Sequence, residues 1–96
     1  MKIVIVGDGK VGYALTEQLS REGHDITVID QDTEVLQRLV ETLDVLVIGG
    51  NGASLEVQRE AEVGKSDLLI AVTTADEINL LCCILAKKLG CPNTIA

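Results

Sequence analysis

The sequence predicts an α/β domain built on a doubly wound parallel sheet, and three observations carry that expectation. Short apolar runs rich in β-branched residues recur at Ile3–Val6, Asp25–Asp30, Val45–Ile48 and Asp67–Val72. Between them, apolar residues return every three or four positions, the spacing of a helix with one buried face. The connecting stretches are only a few residues long. Strands alternating with helices in this way imply a parallel sheet covered on both faces, and right-handed crossovers make it doubly wound.

The first run, Ile3 to Val6, is four consecutive β-branched residues and reads as a strand buried on both faces. It leads into Gly7-Asp8-Gly9-Lys10-Val11-Gly12, a G-x-G-x-x-G pattern between strand and helix. Gly7 permits the tight turn, Gly9 lets a ligand approach the backbone, and Gly12 lets the helix pack closely on the strand. The first helix should run from Lys10 to Glu22, with Val11, Ala14, Leu15 and Leu19 on its buried face and Gly23 as its left-handed stop. His24 falls in the turn that follows. After the second strand, Asp32 is placed to cap a helix whose buried face is Leu36, Leu39, Val40 and Leu43, with Glu34 complementing its dipole.

The third strand, Val45–Ile48, is followed by Gly49-Gly50-Asn51-Gly52-Ala53-Ser54. So many glycines imply unusual backbone angles or close approach to another group. Ser54 can cap a third helix carrying Leu55, Gln58 and Ala61 and ending at Gly64. The fourth strand ends at Val72. Thr74 and Glu77 then have the spacing of a capping box for a helix carrying Ile78, Leu81, Leu85 and Leu89, stopped by Gly90 and Pro92. Thr94-Ile95-Ala96 reads as the start of a fifth strand, cut short. Such an edge invites pairing. The expectation is a fragment of a longer protein, or a subunit whose edge a partner covers.

Ninety-six residues make one small domain with a single core. The net charge of −7 and a single aromatic residue, Tyr13, argue against nucleic acid, which favours basic surfaces and stacking side chains. The same charge argues against anionic membrane surfaces, and no apolar run approaches the ~18–20 residues of a membrane span. Cys82, Cys83 and Cys91 form no C-x-x-C pair. They read as small buried hydrophobes, with a reactive thiol as the alternative, and reduced thiols fit the cytosol.

In a doubly wound sheet, ligands bind beyond the carboxyl ends of the strands. The first such end is the glycine turn, whose helix presents free N–H groups and a positive dipole end to a phosphate. The second is Asp30, 18 positions after Gly12. A carboxylate there accepts hydrogen bonds from ribose hydroxyls and repels a 2′-phosphate, which favours NAD over NADP. Gln31, where an arginine would welcome that phosphate, points the same way, and Asp32 lies beside it. Asp30 and Asp32 can also be read as helix caps alone. The third end, Gly50-Asn51-Gly52-Ala53, can meet an adenine or be a plain turn. The fourth, Thr73-Thr74-Ala75-Asp76-Glu77-Ile78-Asn79, puts Thr73 toward the middle of a cofactor. Asp76 and Asn79 can also be simple first-turn polar residues. Lys10 can offset phosphate charge or be a solvated lysine.

No Ser/His/Asp or Cys/His arrangement, zinc spacing or P-loop is present, and the chain has no room for a substrate domain. Binding without chemistry is the simplest account. The alternative is the cofactor half of an NAD-dependent oxidoreductase.

Four stretches, Gly7–Gly12, Val28–Asp32, Gly50–Ser54 and Ala71–Asn79, together resemble the TrkA N-terminal family, also called KTN or RCK, of potassium-transport regulators. The resemblance covers essentially the whole chain, and its most specific part is Asp76-Glu77-x-Asn79. It implies a Rossmann-type fold and a cytoplasmic regulatory subunit that is not an enzyme. Such domains bind NAD or NADH, or alternatively ATP or ADP. They form homo-oligomers, as dimers or rings, beneath a membrane potassium transporter or channel subunit. The resemblance would set Gly7, Gly9, Lys10, Val11 and Gly12 on the phosphates and Asp30 on the ribose. Ala53 and Ser54 would lie by the base, with Thr73, Thr74 and Asn79 on the far side of the ligand. Gly50-Asn51 departs from the family's usual Gly-Asp.

Overall fold

The computed structural model describes all residues from Met1 to Ala96. The elements are β1 (Lys2–Val6), α1 (Lys10–Arg21), β2 (Asp25–Asp30), α2 (Thr33–Thr42), β3 (Leu46–Gly49), α3 (Leu55–Glu60), β4 (Leu68–Ala71), α4 (Asp76–Leu89) and β5 (Asn93–Ile95). A 3-10 turn at Val63–Lys65 joins α3 to β4. All five strands are parallel, in the order β3-β2-β1-β4-β5. The chain therefore winds outward from β1 in one direction through β2 and β3. It then crosses back to β4 and winds in the other, as the alternation of strands and helices predicts.

The β1 side chains from Ile3 to Val6 are at most 2% exposed, because β1 is central and covered on both faces. Alternate residues serve two cores. Ile3 and Ile5 pack with Ile26, Val28, Leu36 and Leu39 beneath α1 and α2. Val4 and Val6 pack with Leu69, Ala71, Val63, Cys82 and Ala86 beneath α3 and α4. No helix is long and apolar enough to cross a membrane.

The helix ends follow local chemistry. Gly23 and Gly90 take left-handed φ values of 87° and 113°. At each, the next residue's N–H reaches back five positions, from His24 to Leu19 and from Cys91 to Ala86, which closes the helix with its last carbonyls satisfied. Asp32 caps α2, accepting from the amides of Glu34 and Val35, and Ser54 caps α3, accepting from Val57.

Several buried faces differ from expectation. On α1 the buried residues are Gly12 and Thr16, with Leu15 and Leu19 half-buried, while Val11 is 63% exposed. Gly12 sets this face: a Cβ there would overlap the Gly7 carbonyl oxygen, so Gly12 faces the sheet and Val11 is turned about 100° away. Val40 on α2 points outward and Val35 packs in its place. On α4 the small and polar residues Asn79, Cys82 and Ala86 face the sheet, which leaves Leu81 exposed. The third helix stops at Glu60, and Gly64 is not its terminus. Gly64 abuts the Leu89 carbonyl, where a Cβ would sit 2.6 Å from the oxygen. The Thr74–Glu77 capping box does not form: the N-cap of α4 is Ala75, with no side-chain cap.

Candidate functional site

A cavity of about 430 Å³ opens beyond the carboxyl ends of the strands, where β1 and β4 part the two windings. Its size suits a small organic ligand, and its position is the one at which doubly wound sheets bind them. Four strand ends wall it: Gly7 to Gly9 after β1, Asp30 and Gln31 after β2, Gly50 to Gly52 after β3, and Thr73 to Ala75 after β4.

The glycine turn supplies the floor of the cavity. Gly7 takes φ +92°, packs against Thr73 and donates its N–H to the Ile29 carbonyl at 2.9 Å. Gly9 is the N-cap of α1 and brings no capping side chain. The N–H groups of Lys10, Val11 and Gly12 consequently have no protein acceptor. Nothing lies within 4 Å of where a Gly9 Cβ would stand. Free amides at the positive end of a helix, beside space that a side chain would fill, suit a phosphate.

Asp30 is half-buried on the cavity wall. Its Oδ2 accepts from the Asp8 amide and its Oδ1 from the Asp32 amide, both at 2.8 Å. This side chain ties the glycine turn to the loop after β2. Each oxygen keeps a second lone pair for another donor.

Asp8 is 5% exposed, and burial together with the nearby Asp30 raises its carboxyl above the ordinary range, partly opposed by the Thr16 hydroxyl. After β3, the Asn51 carboxamide accepts from the Ala53 amide at 2.9 Å, forming an Asx turn. Gly52 is buried against Val6. After β4, Asn79 reaches back from α4: its Oδ1 accepts from the Thr73 amide and hydroxyl at 2.9 and 2.6 Å, and its Nδ2 donates to the Thr73 carbonyl at 3.1 Å. Asn79 thus fixes the loop that leads into α4, the helix whose start Thr74 and Glu77 were expected to cap.

Of the residues singled out by sequence, Gly7, Asp8, Gly9, Asp30, Gln31, Asn51, Gly52, Thr73 and Thr74 line the cavity. Lys10, Val11, Gly12, Asp32, Ala53, Ser54 and Asn79 do not, and Asp32, Ser54 and Asn79 are engaged in caps or loop bonds. Sequence reasoning missed the apolar wall of Val6, Ile29, Val72 and Ile78. Its signal was positional: Val6, Ile29 and Val72 stand within one residue of a strand's carboxyl end, and Ile78 lies in the first turn of α4.

The family model described as the TrkA-N domain matches residues 3–96. The chain belongs to the TrkA-N domain family. The Trk system potassium uptake protein TrkA homolog of Archaeoglobus fulgidus is 45% identical over 95 residues, covering 99% of this chain and 21% of that protein. The homolog of the same name from Methanothermobacter thermautotrophicus is 40% identical over 96 residues, covering 100% of this chain and 44% of its own. This TrkA-N domain therefore spans less than half the length of either relative. Among solved structures, the GsuK channel superposes with a TM-score of 0.81 at 22% identity, over 96% of this chain and 17% of that one. The Kef CTD of Shewanella denitrificans in its AMP-bound form gives 0.77 at 22% identity, over 92% and 52%. These likenesses show the Rossmann-like fold.

Proposed function

We propose that this TrkA-N domain is the nucleotide-sensing part of a Trk-type potassium uptake system. NAD or NADH, or alternatively ATP or ADP, binds in the strand-end cavity. The phosphates rest on the free amides of Lys10, Val11 and Gly12, and the adenosine ribose donates to Asp30. The adenine lies toward Asn51 and Gly52, and Thr73 and Thr74 border the far side. Occupancy controls a membrane potassium transporter or channel subunit, and a nucleotide acts only through unequal affinity for two states of the assembly. The domain works as a homo-oligomer on the cytoplasmic side, held to the membrane through its partner, and is one portion of a longer regulator or one subunit of an assembly.

The observation that carries this reading is the cavity itself, at the point where the sheet's winding reverses, with Asp30 on one wall and, on another, Gly9, the N-cap of a helix whose first amides are unpartnered. A regulatory rather than catalytic role is supported by the names of the relatives. It is also supported by the placement of the single histidine: His24 sits in the turn before β2, at the opposite end of the sheet from the cavity. Calorimetric titration with NAD, NADH, NADPH, ATP and ADP tests the reading. Binding of an adenine nucleotide without turnover, and discrimination against NADPH, is the expected result. Failure of all five to bind would refute it.

A further inference from the structure

We propose that nucleotide occupancy of this cavity is coupled to a proton held on Asp8, so that binding takes up a proton and weakens as pH rises. The proposal rests on the nucleotide reading above and concerns a residue that reading leaves without a task.

The geometry of one hydroxyl is the starting point. Thr16 Oγ1 lies 2.9 Å from Asp8 Oδ1 and 2.7 Å from the Gly12 carbonyl oxygen. A hydroxyl has one proton, so it cannot donate fully to both acceptors. If Asp8 carries a proton on Oδ1, that proton goes to Thr16 Oγ1, and the Thr16 hydroxyl is free to donate to Gly12. Every proton in the chain then has an acceptor. If Asp8 is ionised, Thr16 must desert one of them. The other oxygen, Asp8 Oδ2, is buried with no hydrogen-bond partner at all. A neutral carbonyl oxygen tolerates that far better than half of a carboxylate does.

The surrounding charges act in the same direction. Asp30 faces Asp8 from the end of β2, with its carboxylate on the Asp8 amide. Thr16 and Gly12 face it from α1, and β1 ends beside it in apolar side chains. Lys10, two residues along, is exposed, and none of the chain's four ion pairs involves Asp8. Burial and Asp30 accordingly lift the carboxyl above its ordinary range.

An anion on the amides of Lys10 to Gly12 places further negative charge beside the loop that carries Asp8. It therefore favours the neutral acid, and linkage makes the effect reciprocal. Between the pKa values of the free and occupied states, binding takes up a proton, and Kd rises by up to roughly tenfold per pH unit. Protonating Asp30 would act oppositely, weakening binding as pH falls, so the two groups are distinguishable by sign.

The test is titration of the intact chain with NAD, whose diphosphate does not titrate in this range, across about pH 5 to 8 in buffers of different ionisation enthalpy. Proton uptake on binding, with Kd rising on the alkaline side, is expected. The Asp8→Asn variant should bind with no proton uptake and a flat profile over that range. Binding by the native chain without proton exchange would overturn the coupling while leaving the nucleotide site intact. No binding at any pH would overturn both. The proton count comes from the native protein, so a variant that folds poorly does not spare the proposal.

Discussion

Two alanine substitutions three residues apart should fail in opposite ways. At Gly12 the added methyl would overlap the Gly7 carbonyl oxygen and press on Val72. Overpacking of this kind costs about 1–3 kcal/mol, and more where the neighbour is backbone that cannot rotate aside. The gain in helix propensity returns about 1 kcal/mol. The clash here is with backbone, so the upper end of that cost applies, and Gly12→Ala should lose about 2 kcal/mol or more, which lowers Tm by roughly 4–8 °C per kcal/mol in a domain of this size. At Gly9 the backbone φ is an ordinary −69° and nothing lies within 4 Å of the new methyl. Stability should change by less than about 1 kcal/mol, the scale of an N-cap preference. The methyl instead enters the space through which a phosphate reaches the amides of α1. Losing one charge-assisted hydrogen bond there costs about 1.5–3 kcal/mol, or roughly 10- to 150-fold in Kd. Thermal melts and NADH titrations on both variants separate the two effects. A Gly9→Ala protein that melts normally and binds NADH as tightly as the parent would show that the phosphates do not rest on this turn.

Other outcomes follow from single side chains. Asp30→Ala should weaken NAD binding by about 1–3 kcal/mol through lost charged hydrogen bonds, and unchanged affinity by calorimetry would contradict its ribose role. Gln58→Leu removes the bonds from Nε2 to the Gly52 and Cys82 carbonyls, at 2.8 and 2.9 Å, while also removing an unpartnered Oε1; a net loss of about 1–2 kcal/mol should show in denaturant melts. Asp8→Asn should stabilise the domain at neutral pH. The raised acid contributes its full stability below the ordinary carboxylate value of 3.8 and loses it as pH climbs through the folded value, so the gap between variant and parent should close on acidification. Burial, with Cys83 beside it, pushes the Cys82 thiol up to about 11. At pH 8 about one thiol in a thousand is ionised, so iodoacetamide should label half-buried Cys83 first and reach Cys82 only on unfolding.

Strands and helix ends were legible because their signals are local. A run such as Ile3–Val6 has one buried-strand reading, and Gly23, Gly90, Asp32 and Ser54 act within a turn of where they stand. The faces of the helices were less legible because apolar residues outnumber the positions that need them. On α4, leucines and isoleucines occupy about half the circumference, and the sheet took the small side chains of Cys82 and Ala86, which let the helix lie close. The correct face of α1 was nonetheless available. A glycine assigned to close packing cannot share its face with the residue directly before it, and that alone excludes Val11.

At the cavity, the fingerprint residues were readable because each answers to a backbone requirement: a left-handed turn at Gly7, open space at Gly9, contact at Gly12. The polar side chains were harder, because one residue can serve the fold and the ligand at once. Asp30 uses one lone pair of each oxygen to join the Asp8 and Asp32 amides, so the loop is tied before any ribose arrives. Its removal would therefore loosen the site as well as delete a contact, and an affinity loss alone cannot apportion the two. Asn79 is the reverse case. Its sequence position resembled a ligand contact, yet its three side-chain hydrogen bonds all go to Thr73. It acts on the cavity by holding the loop after β4, and through that loop it joins the cavity wall to α4. Sequence spacing marked both residues but could not tell them apart: Asp30 lines the cavity with a lone pair free on each oxygen, whereas Asn79 has both Oδ1 lone pairs filled by Thr73 and lies outside the lining.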